Sequence, residues 1–325
     1  MRFVYLLAGL IAALVLAAAA ACGDGDDGGG EATPTDAGAT TAATTAPPDD
    51  SAFPLNITDD AGMEITFDEA PDQIVALAPS FVEVLYAVGA GDSIVAADEN
   101  TDAPPEAAGI PKVSGYEPSV EAIAGYEPDL VLMCCFDAGG LQGSLTGLDI
   151  PTLFFDSPAT VEGVYEQIVS IGQVVGHGAE AETLVSEMEA DIDAVIAELD
   201  DVTTGPSVFH EIDNTLYTAG PGSFVDEVYG MLKATNIAEA TGAAYPQMSA
   251  EAVIGAAPQV IILADGDYGE SAETVAARAG WNTIPAVVNA RVYPVPGALL
   301  SRPSPRLVED IQLLATLLYP EQYPQ

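Results

Sequence analysis

Hydrophobic and polar positions divide the chain into three textures. Residues 3–21 are apolar without a single charge, running from Phe3 to an alanine-rich end at Ala21, with Arg2 ahead of them. Residues 23–51 contain no Leu, Ile, Val or aromatic residue. From Phe53 onward short apolar runs alternate with stretches of helical period, so the folded body is expected to begin there. The runs at 73–78, 129–135, 207–212 and 259–264 read as buried strands, and 215–219 as a further, shorter one. Over 179–199, Leu184, Met188, Ile192, Val195, Ile196 and Leu199 fall at steps of three and four, while Glu180, Glu182, Glu187, Glu189, Asp191, Asp193 and Glu198 take the other face. That spacing predicts one long amphipathic helix of about 30 Å, enough to join two small lobes and stiff enough to limit hinge closure.

Two motifs recur in the same order on either side of that helix. Ser80-Phe81-Val82-Glu83-Val84-Leu85-Tyr86 returns 143 residues later as Ser223-Phe224-Val225-Asp226-Glu227-Val228-Tyr229, with four of seven positions identical. Each copy places a Ser three residues before an acid and predicts a capped helix start after a strand. Ser119-Val120-Glu121-Ala122-Ile123 returns 130 residues later as Ser249-Ala250-Glu251-Ala252-Val253, and in both copies a Pro follows the Glu by seven residues and opens a strand-like run. The repetition predicts an α/β fold of two similar, Rossmann-like lobes, at 53–177 and 205–325, joined by a single long backbone helix within 178–204.

The ends of the chain add a location. The apolar run at 1–21 ends in small residues and is followed by Gly and Asp rather than Lys or Arg, which reads as a secretory signal rather than a membrane anchor. Ala19-Ala20-Ala21-Cys22 resembles a bacterial lipobox with Ala where Leu is usual, so lipidation at Cys22 and an extracytoplasmic, membrane-tethered location are expected. Residues 22–52 read as an acidic tether, and the acids there lack the alternating spacing of a calcium loop. The remaining cysteines, Cys134 and Cys135, read as two buried thiols, with a vicinal disulfide as the alternative in an oxidising compartment.

Charge excludes several functions. Lys+Arg number 7 against 50 Asp+Glu, a formal charge of −43 on a chain that is 49% hydrophobic. The apolar fraction supports a core, and the lack of clustered cations excludes a nucleic-acid binder. No nucleophile elbow, phosphate loop or metal-ligand cluster is present; His177 reads as a loop residue and His210 as a satisfied strand histidine, so no catalytic residue and no metal site are assigned. Residues just past the strand ends are the candidates for holding a ligand: Asp98, Glu99, Tyr116, Phe136, Tyr217, Tyr245, Tyr268 and Arg302. They describe an aromatic cleft with few polar anchors, suited to a bulky ligand.

Taken in order, Leu77-Ala78-Pro79-Ser80 with Glu83, Pro128-Asp129-Leu130-Val131, Tyr245-Pro246-Gln247-Met248-Ser249-x-Glu251 and Ser304-Pro305-Arg306 resemble the substrate-binding proteins of ABC importers for vitamin B12, haem and ferric siderophores. The resemblance implies a class III periplasmic-binding fold with the ligand in a cleft between lobes, no enzymatic activity, and a monomer that docks on a permease dimer with its ATPase. It further implies that Glu121 and Glu251 meet arginines of the permease, and that a metal chelate is the transported ligand, with no resident cofactor. Six scattered cations in the folded part favour a largely neutral corrinoid, cobalamin, over haem or a ferric siderophore. A non-transport lipoprotein sensor and an envelope hydrolase are the other readings of the same cleft.

Overall fold

The computed structural model describes residues 52–323; the leader at 1–21, Cys22 and the tether up to residue 51 lie outside the described residues. The chain runs β1 (Leu55–Thr58), β2 (Glu64–Phe67), β3 (Ile74–Ala76), α1 (Pro79–Ala87), β4 (Ile94–Asp98), β5 (Lys112–Val113), α2 (Val120–Ala124), β6 (Leu130–Cys134), α3 (Leu141–Thr146), β7 (Thr152–Phe155) and α4 (Val161–Val174). After α5 (Gly178–Ala197) come β8 (Ser207–Glu211), α6 (Phe224–Met231), β9 (Thr235–Asn236), α7 (Ala250–Ala256), β10 (Val260–Leu263), α8 (Ala272–Ala277), α9 (Pro285–Val288), β11 (Val292–Pro294) and α10 (Leu307–Leu318).

Two parallel sheets result, ordered β5-β4-β3-β6-β7 and β11-β10-β8-β9, with β1 and β2 as a separate antiparallel hairpin. Apart from the short edge strands β5, β9 and β11, the parallel strands are buried on both faces, as the unbroken apolar run Leu130 to Met133 requires. In each sheet the strand order reverses at one point, between β3 and β6 in the first and between β8 and β10 in the second. Each sheet has an outer core of its own: Ile123, Leu141 and Leu145 cover the first, Val253, Val275 and Trp281 the second. The inner faces share one continuous core that passes from Ile74 and Phe81 through Met188, Ile192 and Val195 of α5 to Val228, Ile311 and Leu314. Helix α5 is therefore one part of a wider contact, in which α4 packs along it on one side and α10 on the other. A Cβ on Gly172 of α4 would collide with Ala181 of α5, so only glycine lets these two helices cross at this distance.

The short capped helices form as their local chemistry dictates. Ser119 and Ser249 each accept a hydrogen bond from the backbone N–H three residues on, at 3.2 Å, and start α2 and α7. Ser223 does the same for α6. Ser80 does not: Pro79 occupies the first helical position and moves the start of α1 forward to Ala78, leaving Ser80 buried inside the helix. The strand expected at 215–219 is also absent. Asp213 closes a turn by accepting from the Thr215 N–H at 2.8 Å, and the chain returns through isolated bridges Glu211 to Thr218 and Tyr217 to Gln247.

The cysteine pair departs from the buried-thiol expectation. Cys134 ends β6 half-buried, Cys135 is exposed at φ +73°, and that left-handed turn brings the two sulfurs together as a vicinal disulfide. His177 stands buried at the start of α5, its Nδ1 3.7 Å from Glu180.

Candidate functional site

Open parallel sheets leave a crevice beyond the carboxyl ends of the strands where their order reverses. Here both crevices open into one cavity of 680 Å³. The first lobe contributes Asn100 and Asp102 after β4, and Ser157 and Pro158 after β7. The second contributes His210 and Ile212 at the end of β8, Asp267 and Tyr268 after β10, Phe224 and Val225 of α6, Tyr245, and the loop 296–303. Three of the expected ligand contacts, Tyr245, Tyr268 and Arg302, line this cavity; both tyrosines are exposed, Tyr268 by 89%.

Asp98 and Glu99, expected at the ligand, do not line it. Asp98 is buried and its carboxylate accepts the N–H groups of Asn100 and Gly115, each at 2.8 Å. A Cβ at Gly115 would lie 2.6 Å from that carboxylate, so the glycine is what allows the loop to be drawn against the strand end. Glu99 accepts from the Ser114 hydroxyl at 2.8 Å. Together they fix the loop that leads to Tyr116, which stands edge-on to Phe136 with ring centroids 5.8 Å apart. Tyr116, Phe136 and Tyr217 are exposed and also lie off the cavity wall. Sequence reasoning missed Asn100, Asp102, Ser157, Pro158 and His210. Ser157 and Pro158 follow a strand, and the rule applied to β4 and β6 would have found them had β7 been recognised.

The cavity carries two guanidinium groups, and both are already neutralised. Arg302 Nη1 pairs with Asp102 and lies 3.6 Å from Glu83; its Nη2 donates to the Asn100 carbonyl at 3.4 Å. Arg306 Nη1 lies 3.3 Å from the same Glu83, which also accepts from the buried Ser304 hydroxyl. Burial works to raise the Asp102 carboxyl, but the hydrogen bond and charge of Arg302 outweigh it and hold the group below its ordinary value. Two carboxylates from one lobe thus balance two cations from the other. The remaining cations of the described residues are occupied elsewhere. Arg278 forks onto Glu211 and Glu270 and lies 4.6 Å from the Trp281 ring centre. Lys112, Lys233 and Arg291 donate to the carbonyls of Thr101, Leu199 and Leu317–Leu318. Among the described residues no group of His, Cys, Asp and Glu side chains is placed to hold a metal ion, and no helix is long and apolar enough to cross a membrane.

Two groups beside the cavity, buried His210 and half-buried Asp310, titrate in opposite senses. Burial pushes His210 down to about 4 and Asp310 up to about 6, the latter despite a 2.8 Å hydrogen bond from the Leu300 N–H and the nearby Arg306. The lowered His210 contributes stability that is present above pH 6.5 and lost as pH falls toward 4. The raised Asp310 acts the other way: its folded state takes up a proton first, so stability is gained between pH 6 and 3.8. The two nearly cancel. Asp310→Asn keeps an acceptor for Leu300 without the charge, so it is expected to stabilise the protein at pH 7 by about 1–2 kcal/mol and to unmask an acid-side decline below pH 6. Melting temperature against pH for both proteins measures this; parallel curves would count against it.

Comparison with known proteins places this geometry in a context. The periplasmic binding protein model matches residues 74–299. An uncharacterised ABC transporter substrate-binding lipoprotein, YvrC, of Bacillus subtilis is 32% identical over 279 residues, covering 83% of this chain and 87% of that protein. A cobalamin-binding protein of Halobacterium salinarum is 28% identical over 282 residues, covering 82% of this chain and 75% of its own. Among solved structures, a possible iron-binding (periplasmic solute-binding) protein from Staphylococcus epidermidis superposes with a TM-score of 0.70 at 27% identity, over 77% of this chain and all of that one.

Proposed function

The chain belongs to the periplasmic binding protein family, and from that premise we propose that it captures a corrinoid in the cavity between its lobes, outside the cytosol, and delivers it to the permease of an ABC importer. The observation that carries the choice of ligand is the neutralised pair Arg302 and Arg306: with Glu83 and Asp102 already on them, the cavity offers tyrosine rings and hydrogen-bonding groups rather than free positive charge. A largely neutral metal chelate fits such walls; the carboxylates of haem or the charge of a catecholate complex would need cations that are engaged elsewhere. The 680 Å³ of space is of the size that bulky ligands occupy. The Halobacterium relative supports this reading by its name, and nothing in the site calls for catalysis.

Titration of the purified protein with cyanocobalamin, haemin and a ferric hydroxamate, followed by quenching of Tyr and Trp fluorescence, tests it. Cyanocobalamin is expected to bind most tightly. Tighter binding of haemin or of the hydroxamate would transfer the role to that ligand, and no binding of any of the three would end the reading. Tyr245 and Tyr268 are assigned as the walls that close on the ligand. Tyr116, Phe136 and Tyr217 are assigned to the outer rim.

Delivery is assigned to Glu121 and Glu251. Both are exposed in the first turn of a serine-capped helix, α2 in one lobe and α7 in the other, where permease arginines can reach them. With Cys22 lipidated, the protein works as a tethered monomer beside a permease dimer and its ATPase. Cells carrying Glu121→Ala with Glu251→Ala are expected to lose uptake several-fold while the purified double variant keeps its affinity for cyanocobalamin. Normal uptake by a normally binding variant would remove the assignment.

A further inference from the structure

The least expected wall of the cavity is a histidine. His210 occupies the fourth position of β8, at the point where the strand order reverses, and only 2% of it is exposed. Its Nδ1 lies 2.8 Å from the Tyr229 hydroxyl. That tyrosine is buried on α6, and the histidine ring is the only partner of its oxygen among the described residues. The other nitrogen, Nε2, has no hydrogen-bond partner among the described residues, yet it is not among the sealed, unpartnered atoms of the core, because His210 opens into the cavity. The charged side chains of the cavity are committed: Arg302 and Asp102 to one another, Arg306 to Glu83, and Asp267 to the Gly297 N–H at 2.9 Å.

Proton bookkeeping then fixes what Nε2 can do. Burial raises the Tyr229 hydroxyl well above its ordinary range, so it keeps its proton throughout the working pH range, and the same burial keeps the imidazole neutral. A neutral imidazole has one N–H. Were it on Nδ1, the ring would donate to the tyrosine oxygen, and the tyrosine's own proton would be left buried without an acceptor, which burial penalises. With the tyrosine donating to Nδ1, the buried hydroxyl proton finds its acceptor, and the ring N–H falls on Nε2, the nitrogen that faces the cavity.

We propose that Tyr229 holds His210 in the Nε2–H tautomer, so that His210 presents a neutral hydrogen-bond donor to a carbonyl or carboxamide oxygen on the periphery of the ligand and does not ligate its metal. This rests on the reading of the cavity as the ligand site and adds to it the chemistry of one contact. A ligand rich in neutral amide oxygens satisfies this donor; one that presents an open metal face does not use it.

The closing experiment separates the two levels. Long-range ¹H–¹⁵N correlation of the unliganded protein reports the tautomer directly; the Nε2–H form is expected for His210, and the Nδ1–H form would overturn the proposal whatever the ligand is. Wild type and His210→Phe, which keeps the ring packing and loses both nitrogens, are then titrated with cyanocobalamin, whose upper axial position is closed, and with aquocobalamin, whose water can be exchanged. Loss of one neutral hydrogen bond predicts an affinity about tenfold lower for both. Equal affinity of wild type and variant would sink the donor role while leaving the cavity assignment intact. A selective loss for aquocobalamin, with the visible spectrum of its wild-type complex shifted as imidazole replaces water, would mean metal ligation and overturn the proposal. Failure of wild type to bind either cobalamin would fall on the functional reading instead, and the tautomer measurement would still stand.

Discussion

Removing salt is expected to lower the melting temperature of this protein by about 10 °C or more between 2 M and 0.02 M NaCl. The chain carries 50 acids against 7 cations, a formal −43. The cations of the described residues work inside the fold: three are in ion pairs with Glu83, Asp102, Glu211 or Glu270, and the others donate to backbone carbonyls. The remaining acids thus face one another with no cation between them. On α5 alone Glu182, Glu189 and Asp193 share one exposed flank, and Glu187 and Asp191 another. The screening length is about 3 Å at 1 M ionic strength and about 30 Å at 0.01 M, so in dilute buffer most of this surface repels itself. Unfolding spreads the charges apart, and low salt therefore favours it. For a domain of this size about 1 kcal/mol moves the melting temperature by 2–4 °C, so the expected shift corresponds to about 3–5 kcal/mol. Calorimetric scans across the salt series measure it. A melting temperature that stays constant from 0.02 to 2 M would show that the acids do not repel at these separations.

The second large effect is expected from Glu83→Ala. The sequence places this glutamate as the acid of a capped helix start; the structure turns it across to the other lobe. It is 5% exposed on α1 and joins the fully buried Ser304 hydroxyl, Arg306 and Arg302. Deleting one member of such a network leaves the others desolvated and unpaired, a loss of about 3–5 kcal/mol by the measure of buried ion pairs. Asp102 still holds Arg302, which places the expected value at the lower end. Glu83→Gln keeps the acceptor for Ser304 and is expected to lose less. Denaturant midpoints of the two variants decide the matter: a Glu83→Ala midpoint equal to that of wild type would mean that the carboxylate does not join the lobes.

Much of the architecture was legible because its causes are local. Ser119 and Ser249 cap their helices through a hydrogen bond three residues away, and the run 130–133 is apolar on both faces because a parallel strand is covered on both. Helix α5 follows from the spacing of Met188, Ile192 and Val195. The errors came where a neighbour in sequence or in space outranked the motif. Pro79 displaced Ser80 from the cap, and the turn at Asp213 pre-empted the strand expected at 215–219. The sequence favours buried thiols over a vicinal disulfide for the cysteines, but Cys135 lies past the end of β6, where the chain turns left-handed and leaves the interior.

The site was legible only in part, for a related reason. Tyr245, Tyr268 and Arg302 could be found because they follow strands. Asp98 and Glu99 follow one too, but they face back into their own loop, toward Gly115 and Ser114, and no pattern along the chain tells which way a side chain turns there. His210 was read as a satisfied strand histidine. Among the described residues it is satisfied at one nitrogen only, and its partner Tyr229 lies nineteen residues on, in the second copy of a repeat whose first copy has Tyr86 at the matching position.

The core that passes unbroken from the first sheet through α4, α5 and α10 into the second has a bearing on how a membrane partner could tell a loaded molecule from an empty one. A protein that snaps shut advertises its cargo by the angle between its halves. Here that angle is held by apolar packing and by Glu83, so little of it is free to carry a message. On the proposed reading, the news of occupancy is expected at the mouth of the groove, where Tyr245, Tyr268 and the 296–303 loop line the cavity, and the receiver is expected to read it by touch.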